Sequence, residues 1–312
     1  MTARDRALFA LVGPRETASA PSRGGYSYGR ATLRAFCRHR TALVMAILMA
    51  VLILFALVQP LLPGQHPPAT IYNDAQTGLQ LRNLPPCRAF PFGTNAIGQD
   101  LWARVWAGTR VSLLIGITAA LAEMAIGTVM GMIWGYVRPL DGAFTALYNV
   151  VDNIPQSILL VLASYLLRPG LATLLVALCL TGWLGMARFV RNQVLLLRDR
   201  DYNVASRCLG TPFRRIARCN LLPYLVSVIT LRAALTVPAA IGSEVFLTYV
   251  GLGLPAGMPS LGNLINEGRS LMMAASLRYQ LIFPAAVLSL VTLGFYVVGN
   301  ALADAADPRN HR

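Results

Sequence analysis

The chain has 312 residues, of which 55% are hydrophobic and only 13% charged, with a mean hydropathy of +0.55; this excludes an ordinary soluble domain. The net charge is +14, and every basic residue other than histidine is arginine, because the sequence holds no lysine. These arginines flank apolar segments instead of forming one interleaved patch, so they argue for membrane topology and against nucleic acid as a partner.

Residues 1–30 are rich in Gly, Ser, Ala and Arg without apolar periodicity and read as a mobile tail, part of a basic N-terminal segment covering 1–40. Thr41–Leu62 is free of charge. At about 1.5 Å per residue it is long enough to cross a hydrocarbon core of roughly 30 Å. Its long approach and long apolar core predict a retained anchor, not a cleaved leader. An outside segment, 63–110, is dense in turn formers such as Pro67-Pro68 and Pro85-Pro86. Within it, Phe92–Asp100 reads as a structured turn leading into a helix. Trp102 and Trp106, four apart, place two indoles on one face at the membrane interface.

Five more apolar stretches follow. Val111–Val137 carries one charge, Glu123; Gly142–Leu167 carries one, Asp152; Pro169–Ala187 and Tyr279–Ala303 carry none; and 220–247 is interrupted by Arg232 and Glu244. The expectation is an all-α integral membrane protein with six transmembrane helices, a membrane core over 111–303 and a short tail, 304–312. Gly127, Gly131 and Gly135 repeat at a four-residue spacing that lets helix backbones approach closely. Pro155, just after Asp152 and Asn153, predicts a kink in the third span. Gly251–Pro255 and Pro259–Gly262 predict an outside, re-entrant loop, followed by a short amphipathic helix over 263–276 on the outer surface. With the N-terminus inside, nineteen arginines fall inside and seven outside, so both termini are expected in the cytoplasm.

Between the fourth and fifth spans lies an arginine-rich loop, about 191–221, with a helix-stop-helix pattern. Asp201 suits a helix N-terminus. Gly210 follows Leu209 as a left-handed C-cap. Thr211 reads as an N-cap and Pro212 as the first residue of a second helix.

Absences narrow the chemistry. His39, His66 and His311 all lie outside the spans, which argues against a histidine-based intramembrane protease or metal site. Without lysine there is no Gly-x-x-x-x-Gly-Lys-Ser/Thr loop, so any ATP hydrolysis belongs to a partner. Cys37, Cys87, Cys179, Cys208 and Cys219 are scattered, without metal-type spacing, and read as packing residues. Three carboxylates sit in or near apolar segments, where charge is costly and a functional role is the default. For Glu244 the alternative is pairing or capping near the outer end of span five. For Asp152 it is a partner such as Arg138 or Arg188. Structural roles are preferred for both. Glu123, near the middle of span two, faces either a subunit interface or a water-filled path. With Pro155, these three form the candidate pathway or interface set.

Asp201-Tyr202, Ala205-Ser206-Arg207, Leu209-Gly210, Arg215-Ile216 and Leu222-Pro223, in that order, resemble the EAA loop of permease subunits from ATP-binding-cassette importers of the dipeptide/oligopeptide form. The likeness extends over nearly the whole chain after residue 30, through Phe92–Asn95 with Gly98–Asp100, Phe246-Leu247, Gly251–Gly253, Pro259–Gly262 and Asp304–Arg309. Many members have His at Asn220, Asn at Tyr224, Ala at Ser206 and Arg at Gln99. The combination resembles the oligopeptide branch and its C-type permease most. The resemblance implies a type I importer permease, similar in architecture to methionine-importer permeases, in the cytoplasmic membrane of a bacterium. It also implies a homologous B-type permease, two ATPase subunits, an extracytoplasmic peptide-binding protein and surrounding lipid as partners. The chain itself would bind no cofactor, with ATP and Mg used by the ATPases. The helix around Tyr202–Gly210 would sit in a groove of one ATPase and receive its motion. Alternatives are the same machinery carrying nickel or another small solute, or an ion-coupled secondary transporter; the latter predicts internal repeats, which the sequence does not show.

Overall fold

The computed structural model describes residues 28–167 and 170–306; Arg4, Arg6, Arg15, Arg23, Arg168, Asp307, Pro308, Arg309, His311 and Arg312 lie outside them. The basic N-terminal segment is not all tail: Tyr28–Arg38 (α1) is helical. Its Phe36 is buried with Ala42 and Ala305, so a segment too short to be stable alone is held by the apolar face it buries. Arg40–Val58 (α2) follows and closes in a 3₁₀ turn, Gln59–Leu61.

The second long helix, Leu101–Tyr136 (α3), runs for 36 residues and starts ten residues before the expected span. Asp100 explains the early start. Its carboxylate accepts the Trp102 N–H at 3.0 Å, and no proline interrupts the chain from there to Tyr136. The last part of the expected 63–110 segment is therefore helix. Trp102 and Trp106 do share a face, and both stack edge-on against Phe55 of α2, at 5.8 and 4.7 Å.

The third apolar segment divides into Arg138–Asp152 (α4) and Gln156–Leu166 (α5), bent by 80°. Pro155 has ψ 128 and caps α5, so the helix restarts after it instead of continuing through a kink. Leu171–Arg198 (α6), Leu222–Tyr249 (α9, reached through short elements described below) and Tyr279–Ala306 (α11) complete the long helices. Among the described residues five helices are long and apolar enough to span a membrane, or six with the bent pair counted as one. Helix α6 runs eleven residues past Ala187, and α11 continues through Asp304 to Ala306, so both the 191–221 loop and the 304–312 tail begin as helix.

Helix α3 is the hub of the fold, packed along α6, α9, α11 and α2. Its glycine stripe explains the closest of these contacts. A Cβ on Gly127 would lie 2.5 Å from the Met186 Cβ, and one on Gly131 would lie 2.5 Å from the Ala187 carbonyl oxygen. The small residues thus serve packing of α3 on α6 within this chain.

The 62–100 segment folds around isolated bridges pairing Ile71 with Gln99, Asn73 with Gln80, and Thr94 with Asp100. Gly93, at φ 76, turns where a Cβ would meet the Pro85 backbone and the Tyr279 ring. Tyr279 Oη lies 2.9 Å from the carbonyl oxygens of both Leu84 and Thr94, tying the segment to the start of α11.

The helix after residues 251–260 differs from the expected 263–276. It spans Leu261–Arg269 (α10), starting at the Ser260 cap, whose hydroxyl accepts the Asn263 N–H at 3.0 Å. One face is exposed, with Glu267 and Arg269 on it. Leu261, Gly262, Asn263, Leu264 and Gly268 are buried between α3, α9 and α11.

Candidate functional site

Helix α6 ends at Arg198, and the chain then makes a compact knuckle: Asp201–Cys208 (α7), Phe213–Ile216 (α8) and a π turn, Ala217–Leu221, that runs into α9. Asp201 lies in the first turn of α7, after Arg200 at the N-cap. Gly210 adopts φ +74. Its N–H reaches the Arg207 carbonyl at 2.9 Å while the Thr211 N–H reaches the Ser206 carbonyl at 3.0 Å, the two bonds of a Schellman motif. The expected restart is displaced by one residue. Thr211 has spent its N–H on α7, and Pro212, at ψ 149, is the N-cap of α8, which begins at Phe213.

Several bonds hold the knuckle rigid. Asn203, fully buried, donates from Nδ2 to the Leu197 carbonyl at 2.8 Å and accepts from Asn220 Nδ2 at 2.9 Å. Ser206 Oγ donates to the Tyr202 carbonyl at 2.8 Å. Arg207 Nη2 donates to the Arg198 carbonyl at 3.1 Å and lies 3.4 Å from Asp199. Arg138, at the α3–α4 turn, reaches Asp199 at 3.7 Å, and Arg198 lies 3.3 Å from it. Slight desolvation acts to raise the Asp199 carboxyl, but Arg198, Arg207 and Arg138 outweigh it and hold its pKa below the ordinary value. Ile216 is buried against Val190, Val194 and Leu225. Leu222 N–H reaches back to the Ala217 carbonyl in the π turn, directly before Pro223, which has no N–H to offer.

One face of the knuckle is left open. Leu209 is 85% exposed at its tip, beside the exposed Ala205 and the exposed arginines Arg200, Arg214, Arg215 and Arg218. Tyr202 stacks on Tyr224 with centroids 6.3 Å apart, and desolvation together with that second phenol raises its pKa. A rigid, basic projection with an apolar tip is suited to docking and receiving force. Asn203 carried no signal in the sequence, since asparagine in a polar loop does not announce burial and its partners lie six and seventeen residues away.

The intramembrane candidates separate into two places. Glu123, Asp152 and Pro155 line one cavity of about 430 Å³ between α3, the α4–α5 bend, α6 and α9. The bend brings Asp152 and Pro155 there, and Gly182 makes room for Glu123, since a Cβ on Gly182 would collide with that carboxylate. Arg232, Gln156, Ser243, Tyr148, Thr181 and Thr236 add to its polar lining. Asp152 accepts from Tyr148 Oη at 2.7 Å and lies 3.7 Å from Arg188, so its partner is Arg188, while Arg138 pairs with Asp199.

Glu244 lies apart from this cavity and has no solvent exposure. It accepts from Ser260 Oγ at 2.7 Å, Thr248 Oγ1 at 3.2 Å and Ser112 Oγ at 3.4 Å. Ser112 Oγ in turn accepts the Leu261 N–H at 3.2 Å. A buried carboxylate is tolerable only when hydrogen-bonded; here it organises the hydroxyls that start α10. Nearby, Arg104 pairs with Glu267 at 2.7 Å and also contacts Gln99, a further link between α3 and α10.

The cysteines do not read as packing residues in the fold: Cys37, Cys87, Cys208 and Cys219 are exposed, and only Cys179 is partly buried. The four exposed ones fall on short helices and turns, Cys179 on the long α6. No group of three His, Cys, Asp or Glu side chains able to hold a metal occurs among the described residues.

Comparison with known proteins bears on this geometry. Residues 127–312 match the family described as binding-protein-dependent transport system inner membrane component, and residues 27–86 match the N-terminal TM domain of oligopeptide transport permease C. The chain is 36% identical to the oligopeptide transport system permease protein AmiD of Streptococcus pneumoniae over 95% of its own length and 94% of that protein. It is likewise 36% identical to the dipeptide transport system permease protein DppC of Bacillus subtilis, over 95% and 90% of the two chains. Among solved structures, a chain of the MetNI methionine ABC transporter in inward-facing conformations superposes with a TM-score of 0.51 at 22% identity, covering 65% of this chain and 96% of that one; this is a likeness of fold.

Proposed function

The chain belongs to the family of binding-protein-dependent transport system inner membrane components, and on that premise we propose that it is the C-type permease subunit of an importer for dipeptides or oligopeptides. It is a multi-pass protein of the bacterial plasma membrane and a transport subunit without an ATPase site of its own. Its partners are a homologous B-type permease, two ATPases that bind ATP and Mg, and an extracytoplasmic peptide-binding protein. Both termini and the knuckle lie on the cytoplasmic side.

The observation that carries the reading is the knuckle. Asp201, Tyr202, Ala205, Ser206, Arg207, Leu209 and Gly210 form a capped helix with an exposed tip, and Ile216, Leu222 and Pro223 join it to α9. A push on that tip reaches the membrane helices with little loss, because the elements between are rigid and hydrogen-bonded. At the other end of α9, Glu244 and the α10 cap fasten α10 to α3 and α9.

Affinity purification from the native membrane, with ATPase and uptake assays on what copurifies, tests this. Recovery of a second permease and two ATPases, with uptake of labelled peptide and none of nickel, is expected. Recovery of this chain alone and without ATPase activity would return the secondary transporter.

A further inference from the structure

The cavity bounded by α3, the α4–α5 bend, α6 and α9 holds one acidic and one basic side chain that the fold does not pair. Glu123 and Arg232 lie within electrostatic reach of each other. Among the described residues, however, neither side chain forms a hydrogen bond or an ion pair, and the guanidinium sits only loosely, 6.0 Å over the Phe189 ring. The third charge, Asp152, is already answered by Tyr148 and Arg188. What remains is one carboxyl and one guanidinium group lining the same cavity. Charges are expensive within membrane spans, and an unpaired pair of opposite sign there is best explained by something that completes both.

We propose that this cavity is a transient binding site for a short zwitterionic peptide, with Glu123 receiving the N-terminal ammonium and Arg232 the C-terminal carboxylate. The proposal rests on the peptide-importer reading and adds the place and chemistry of recognition inside the membrane. The volume, about 430 Å³, falls within the roughly 300–1,000 Å³ of small-molecule pockets. Both charge signs are needed, which disfavours a simple cation or anion. Gln156 and Ser243 supply amide and hydroxyl groups for peptide bonds without selecting side chains. Arginine suits a carboxylate because its planar fork can engage both oxygens.

The test uses the complete complex, with its binding protein, in proteoliposomes. Uptake is measured for one labelled tripeptide with free ends, N-acetylated, or C-amidated. Wild type should favour the free peptide. Glu123→Gln should lower free-peptide uptake about tenfold or more, to the level of the N-acetylated form, while leaving the acetylated form unmoved. Glu123→Asp should restore discrimination. Arg232→Gln should do the same for the amidated form. Because the binding protein is identical throughout, its own selectivity cancels in the ratio between variant and wild type. End-group ratios that do not move in either variant overturn the proposal while peptide import stands. Loss of the partner permease from the purified Glu123→Gln complex also overturns it, assigning the pair to the subunit interface. Failure of the wild-type complex to import any peptide removes the importer reading and this proposal together.

Discussion

Asn220 Nδ2 donates a 2.9 Å hydrogen bond to Asn203 Oδ1, joining the π turn before α9 to the middle of α7. Because Asn203 also donates to the last turn of α6 at the Leu197 carbonyl, a single buried amide ties together the helix entering the knuckle, the knuckle itself and the helix leaving it. This side chain is the one that bonds to all three of these elements at once.

Replacing Asn203 with Ala removes the buried link between α6, α7 and the π turn. The Leu197 carbonyl keeps its bond from the Arg200 N–H and the Asn220 amide keeps a 3.4 Å contact with Ser206 Oγ, so the two lost bonds cost about 1–2 kcal/mol. The variant is expected to insert normally, melt at lower temperature and lose most uptake. Asn203→Asp keeps the acceptor for Asn220 but buries a carboxyl whose second oxygen faces the Leu197 carbonyl, so it should melt at or below the Asn203→Ala variant. Thermal unfolding of the purified complex beside uptake checks both.

Gly210 offers a cleaner perturbation. No atom stands within 4 Å of where its Cβ would be, so substitution acts only through the φ of +74. Gly210→Val should cost about 1–2 kcal/mol locally, swing the Leu209 tip away, and abolish uptake without affecting insertion. Full uptake in that variant would remove the coupling assignment. Gly210→Asn, which tolerates this conformation better, should retain much of the activity.

How much of this was legible beforehand differs by element. The apolar segments declare themselves because hydrocarbon excludes charge, and Gly210 does so because few other residues tolerate its φ. The start of α3 was legible as a turn over 92–100 leading into a helix with two indoles four apart, but its unbroken run into the second span was not, because Arg104 and Arg110 interrupt the apolar pattern. Thr211 misled by one residue because it closes the upstream helix. Glu123, Asp152 and Pro155 were each noticeable, yet their meeting depends on the 80° bend, and Arg232 joins them only through the packing of α9. Glu244 stands with none of them because α10 folds inward and claims it.

Glu244→Ala should release α10. Ser112, Ser260 and Thr248 would lose their common acceptor, again at about 1–3 kcal/mol. With the native cysteines replaced, a cysteine at the buried Leu264 should react slowly with maleimide in the parent and readily in the Glu244→Ala background. Equal labelling rates would show that the helix is held by other contacts.

Two glycines should behave oppositely. Gly131→Ala forces a methyl to within 2.5 Å of the Ala187 carbonyl and should destabilise the α3–α6 pair by about 1–3 kcal/mol. Gly185→Ala, on α6 with nothing within 4 Å, should be neutral or raise the melting temperature slightly through helix propensity. Differential scanning fluorimetry of the two variants separates them.

The π turn at Ala217–Leu221 amounts to one surplus residue in an otherwise continuous winding from Phe213 to Tyr249. An α-helix advances about 100° per residue, so this residue sets the rotational phase between everything before it and everything after. Shortening the turn by one position would leave each helix intact and still turn the Leu209 tip to a different compass bearing from the wall that carries Arg232. The direction in which a push arrives at the membrane is therefore written in the length of a five-residue turn.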